Sequence, residues 1–140
     1  MSKKSVAVCV QKDLVQPITW ALREFDDRLS IKFFDTTRLL GTALEKDPAV
    51  DVLILDSNFF NESTADFART TKAEVPHMKI LFIVSSGTTK EEIISIVQSK
   101  VVSGVLVRPF TAGQVSDYVR KLCSFEKAAE APWYMQTGIK

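Results

Sequence analysis

The sequence predicts an α/β domain whose core is a parallel sheet of five strands. Two observations carry that expectation. Five short runs rich in Val, Ile and Leu alternate with longer stretches of helical period, and strands separated by helices pair in parallel through right-handed crossovers. A chain of 140 residues, 46% hydrophobic and 25% charged, suits one globular domain with an ordinary core.

The first run, SVAVCV, spans Ser5 to Val10. The helix after it places Leu14, Ile18, Ala21, Leu22 and Phe25 on one face, and Asp13 with Gln16 has the spacing of a capping box. Trp20 falls roughly 100° or more from that stripe, so it is expected either exposed or packed at the core boundary. SIKFF, Ser30 to Phe34, is the second strand, followed by a helix at about Thr37 to Lys46. The third run, VLIL from Val52 to Leu55, lies between Pro48 and the polar pair Ser57–Asn58, and its unbroken apolar character marks a strand buried on both faces. A third helix is expected at about Glu62 to Lys72.

KILFIV, Lys79 to Val84, is the fourth strand. Thr89 with Glu92 forms a capping-box pattern ahead of Ile93, Ile96 and Val97, the expected core stripe of helix four. Ile94 and Val101 fall off that stripe and are expected to join an apolar patch with strand five and helix five. The fifth strand is GVLV, Gly104 to Val107, and Thr111 with Gln114 caps a last helix carrying Val115, Tyr118, Val119 and Leu122. Helix five must end by Pro132. The expected organisation is a domain over residues 1–124 and a helical extension and tail over 125–140. Trp133, Tyr134 and Met135 in that tail belong to a linker, a segment folded back on the domain, or a docking segment.

Composition narrows the function. A formal net charge of +1 gives no global attraction to nucleic acid or to an anionic membrane. Cys9 and Cys123 have neither metal-ligand spacing nor a disulfide framework and are expected as reduced core residues. The run Val6 to Val10 is too short for a signal-peptide core or a membrane span, which points to the cytoplasm. His77, the single histidine, reads as a surface-turn residue, and Lys90 to Glu92 as a solvated helix start. No hydrolase triad can be assembled.

An acid, Asp56, ends the third run. In an open parallel sheet the C-terminal rim is where ligands and chemistry meet. Ser86–Gly87 after strand four and Arg108–Pro109–Phe110 after strand five converge on the same rim. The motifs DVLILDSN, VSSG and VLVRPFT, with the spacing from Asp56 through Ser86 to Arg108 kept without a gap, resemble the receiver domain of two-component response regulators, especially the single-domain chemotaxis type. The likeness covers roughly Lys3 to Leu122.

That resemblance implies a doubly wound, flavodoxin-like sheet of strand order 2-1-3-4-5. It implies that Asp56 is a phosphoacceptor for a histidine kinase or phosphotransfer protein, with Ser86 and Arg108 on the phosphoryl oxygens. Mg²⁺ would be held by Asp56, by the backbone carbonyl of Asn58 and by acids after strand one. Pro109 matches a position whose preceding peptide bond is often cis in such domains.

The sequence departs from the pattern in several places. The acidic pair is replaced by Gln11 and Lys12, poor ligands for a hard cation, so Mg²⁺ binding is expected to be weak. Asp13 restores one acid only if the loop shifts; capping helix one is its other reading. Lys12 is expected to place its ammonium near Asp56. Arg108 stands for the usual Lys, keeping the charge in forked form, and Val105 stands where an aromatic usually switches. Lys100 and Val101 occupy positions that are usually small.

The expectation is therefore a receiver-like, non-enzymatic signalling module, working through protein–protein contact with phosphorylation weakened or absent. The alternative is a functional phosphoacceptor with Mg²⁺-dependent phosphorylation of Asp56. The expected interaction face takes in Trp20, Ile94, Val101, Val105, Tyr118, Trp133 and Tyr134, with a downstream signalling protein or a second copy docking over helices four and five. A flavin-binding variant of the same strand order finds no support, because the loop QKDLVQP offers no Gly-rich or Ser/Thr-rich phosphate cradle.

Overall fold

The computed structural model describes residues 3–59, 62–123 and 125. The elements follow the expected alternation: β1 (Lys4–Cys9), α1 (Lys12–Leu22), β2 (Leu29–Phe33), α2 (Thr37–Lys46), β3 (Val52–Asp56), α3 (Ala65–Glu74), β4 (Lys79–Val84), α4 (Lys90–Gln98), β5 (Gly104–Val107) and α5 (Ala112–Leu122). All four pairings in the main sheet are parallel, and the order is β2-β1-β3-β4-β5. This is the doubly wound flavodoxin-like arrangement.

Strand alternation divides the core in two. Val6, Val8, Val52, Ile54, Leu81, Ile83 and Leu106 face α1 and α5, where Leu14, Ile18, Val115 and Val119 meet them. Ala7, Cys9, Leu53, Leu55, Ile80, Phe82 and Val84 face the other layer, with Leu40, Leu44 and Ala68. Every residue of β3 is buried, as expected of a central strand covered on both sides. Phe125, just past α5, packs on Phe25 at 5.5 Å between ring centroids.

Several boundaries differ from the sequence expectation. Helix α1 starts at Lys12 with Gln11 as its N-cap, and no side chain caps it. The Asp13–Gln16 box does not form, because a first-turn hydrogen bond from Leu14 N–H to the Gln11 carbonyl (2.9 Å) begins the helix before the acid. The boxes at Thr89–Glu92 and Thr111–Gln114 do form. Helix α3 begins later than Glu62, since Glu62–Ser63 pairs antiparallel with Asn58–Phe59 in a small ribbon.

Helix α4 is shallowly seated. Ile93 and Ile96 are half-buried, but Val97 is 52% exposed beside Ile94 at 46%, so Val97 does not belong to the core stripe. Val101 departs the other way and packs half-buried against the second core layer. The reason is local: α4 ends at Gln98, Lys100 takes a left-handed conformation (φ 61°), and the chain turns back to the sheet before Val101. Trp20 is 59% exposed, with the Arg23 guanidinium 5.1 Å from its ring. His77 lies exposed in a turn, and Cys9 and Cys123 are free buried thiols. Pro132, Trp133, Tyr134 and Met135 lie outside the described residues.

Candidate functional site at the sheet rim

Asp56 is the last residue of β3 and only 3% exposed. The β3–β4 register pairs it with Ile83, so its side chain points to the α1/α5 face. Burial of a carboxylate is costly unless it is paired and hydrogen-bonded. Here Arg108 Nη2 donates to Asp56 Oδ2 at 2.6 Å, the N–H of Gln11 donates to the same oxygen at 3.4 Å, and the N–H of Asn58 donates to Oδ1 at 3.3 Å. The Thr64 hydroxyl, itself buried, donates to the Asp56 carbonyl at 2.5 Å and fixes the backbone.

Arg108 reaches this position because β5 runs parallel to β4 and places Leu106 on the α1/α5 face, so the residue two positions on returns to the same side. Its other terminal nitrogen, Nη1, lies 3.7 Å from Asp13 Oδ2. The guanidinium thus spans two carboxylates, a use suited to its fork. The Arg108–Pro109 peptide bond is cis.

Gln11 closes the cluster from the β1 side. Its amide Nε2 donates to the Asn58 carbonyl at 3.0 Å. The Gln11 amide and the Arg108 guanidinium are therefore engaged with the Asn58 carbonyl and with Asp56 Oδ2. Lys12 behaves otherwise than expected: it is exposed and makes no ion pair with Asp56, whose free oxygen positions are taken by Arg108 and backbone N–H groups. Among the described residues, no group of three or more His, Cys, Asp or Glu side chains is placed to hold a metal ion.

The strand-four hydroxyl needs refinement. Continuing the alternation past Val84 places Ser85, rather than Ser86, on the Ile83 and Asp56 face, one step beyond the Val84–Val107 pair and beside Arg108. Ser85 and Ser86 are both exposed just past the end of β4, and Ser85 Oγ lies 3.2 Å from Thr88 Oγ1. Counting residues from Asp56 pointed to Ser86; counting faces from Ile83 points to Ser85. Thr64 and the Gln11 amide had no sequence signal of comparable kind, because both act through contacts 8 and 47 residues away.

Of the described residues expected at an interaction face, Trp20 and Ile94 are exposed, whereas Val101, Val105 and Tyr118 are half-buried. Val105, paired with Phe82, packs among the second core layer. Tyr118 lies half-buried against Gly104, where an added Cβ would sit 2.5 Å from its ring. Ile94, Val97 and Val107 are the large apolar side chains left exposed on α4 and β5.

Solved structures similar to this chain include response regulators and their receiver domains. A response regulator from Thermotoga maritima superposes with a TM-score of 0.73 at 17% identity, covering 88% of this chain and 99% of its own. A response regulator receiver domain protein from Clostridium thermocellum gives 0.72 at 19%, covering 91% and 99%. The chemotaxis protein CheY4 of Vibrio cholerae gives 0.72 at 17%, covering 86% and 99%. No protein-family profile and no curated protein sequence matches the chain. The fold is that of response regulator receiver domains.

Proposed function

We propose that the chain is a receiver-type module of two-component signalling that works through protein–protein contact, with phosphorylation of Asp56 weakened or absent. The observation that carries this reading is the occupation of the acidic rim by the chain's own donors. Arg108 and the Gln11 N–H sit on Asp56 Oδ2, the Gln11 amide sits on the Asn58 carbonyl, and Arg108 also faces Asp13.

These residues do not fit Mg²⁺. The ion requires several hard oxygen ligands in near-octahedral array, whereas one candidate carboxylate and the candidate carbonyl are already hydrogen-bonded to fixed donors. Phosphoryl transfer to a carboxylate depends on positioning and on neutralising charge. Arg108 supplies charge, but it also holds the attacking oxygen.

Output in this reading passes through the exposed apolar side chains of α4 and β5, Ile94, Val97 and Val107, which suit a downstream signalling protein or a second copy. Among the described residues no helix is long and apolar enough to cross a membrane. The test is intact mass after incubation with acetyl phosphate, with and without Mg²⁺, beside Asp56→Asn. No adduct in either condition is expected. A Mg²⁺-dependent adduct lost in Asp56→Asn would instead establish a working phosphoacceptor.

A further inference from the structure

Beside the rim, between the start of α1 and the end of β2, lies a cavity of about 580 Å³. Half of its lining residues are apolar: Val8, Val10, Val15, Phe33 and Phe34. Phe33 ends the edge strand β2 and leaves 40% of its surface uncovered. A concave apolar space of several hundred Å³ with a few polar groups at its mouth is the usual form of a small-molecule site.

The charges at the mouth define the ligand. Asp13 is engaged by Arg108. Lys12 and Asp35 both line the cavity, both are exposed, and neither forms an ion pair among the described residues. An apolar body with one anionic and one cationic group would satisfy wall and mouth together.

We propose that this cavity binds a free α-amino acid with a large apolar side chain, its carboxylate toward Lys12, its ammonium toward Asp35 and its side chain against Val10, Val15 and Phe33. Gln11 and Asp13 also line the cavity, and these residues hold Asn58 and Arg108. Occupancy would thus bear on the Asp56 cluster. Binding stands independently of phosphorylation; only its use as an input in place of a phosphoryl group rests on the function proposed above.

The test is a titration of the full ¹⁵N-labelled chain with L-phenylalanine, phenethylamine and 3-phenylpropionate, read by amide chemical shifts. L-phenylalanine is expected to shift Val10, Lys12, Phe33 and Asp35 saturably at millimolar concentration or below, and each analogue lacking one charge to bind more weakly. Lys12→Met and Asp35→Asn, both at exposed positions, should each weaken L-phenylalanine binding about threefold. Absence of saturable shifts at these residues would overturn the proposal. Equal binding of all three probes, or variants that bind as the wild type does, would overturn the assigned ligand class. Neither result depends on whether acetyl phosphate modifies Asp56, so the two proposals fail separately.

Discussion

Arg108 donates to Asp56 Oδ2 at 2.6 Å while its other terminal nitrogen lies 3.7 Å from Asp13. One guanidinium therefore joins the ends of β5 and β3 to the first turn of α1. Asp56 is almost wholly buried, whereas the Arg108 side chain is 26% exposed, so the two partners respond unequally to loss of the pair. Arg108→Ala leaves a buried carboxylate served only by weak backbone donors and should lower stability by about 1–3 kcal/mol. Asp56→Asn leaves Arg108 with solvent and Asp13 and should cost less. Urea denaturation of both variants gives the order directly; an equal or reversed order would mean that the pair does not hold Asp56 in place.

Gly104 is required by its neighbour rather than by its backbone. A Cβ there would lie 2.5 Å from Tyr118 Cε1 and 3.2 Å from Leu81 Cδ1. Gly104→Ala should cost about 1–3 kcal/mol through overpacking. Adding Tyr118→Ala, which removes the obstructing ring, should leave only the contact with Leu81 to be relieved and so cancel most of that cost, and a double-mutant cycle by thermal melts should show strong coupling. Independent effects would place the strain elsewhere.

Lys100 holds a left-handed conformation, φ 61°, immediately after the Ser99 cap of α4. A non-glycine residue pays roughly 1 kcal/mol or more for that region, and glycine raises the entropy of the unfolded chain in partial opposition. Lys100→Gly is therefore expected to stabilise by about 0.5–1 kcal/mol, seen as a higher denaturation midpoint with an unchanged slope. A lower midpoint would show that the Lys100 side chain contributes more than its backbone costs.

Much of the fold was legible in the sequence because its signals are local. The apolar runs gave β4 and β5 their observed ends, and Thr89–Glu92 and Thr111–Gln114 marked helix starts through contacts three residues apart. Asp13–Gln16 has the same spacing and failed, because α1 starts at Lys12 and leaves Asp13 inside its first turn. Asp56 and Arg108 were legible as a rim pair from strand ends alone. The placement of Lys12 was not, since which cation reaches Asp56 depends on strand register across 52 residues rather than on proximity to β1. Val97 and Val101 exchanged places because a helical wheel assumes a helix that continues and seats deeply, and α4 does neither.

The two thiols predict how the protein meets alkali. Burial pushes Cys9 from the ordinary 9.0 up to about 12, with the nearby Asp56 and then Asp35 charges adding to the effect. Burial likewise raises Cys123 to about 11. The folded state thus keeps both protonated where the unfolded chain releases the protons. Stability from this source is complete below pH 9 and declines from there toward the folded values, because the unfolded state binds fewer protons in that window. Both thiols should resist alkylation at pH 8 until denaturant is added, and Cys9→Ala should flatten the alkaline loss relative to its own neutral stability. Rapid alkylation of the native protein would contradict the burial of both sites.

Restoring the acids offers the sharpest view of the rim. In Gln11→Asp, Lys12→Asp the amide that now donates to the Asn58 carbonyl is gone, and two further negative charges are added to a rim where Arg108 already serves Asp56 and Asp13. Like charges so close repel unless a cation joins them, so the double variant should be less stable than the wild type without divalent ions and should recover stability in millimolar Mg²⁺ by mass action. The wild type should show no such response. Calorimetric titration and melting curves with and without Mg²⁺ separate the cases, and Ca²⁺ serves as a control for a site that tolerates looser geometry. A wild-type chain that already gains stability with Mg²⁺ would mean that Gln11 and Arg108 yield the oxygens they hold, and the rim would then be a metal site in waiting rather than one closed by its own donors.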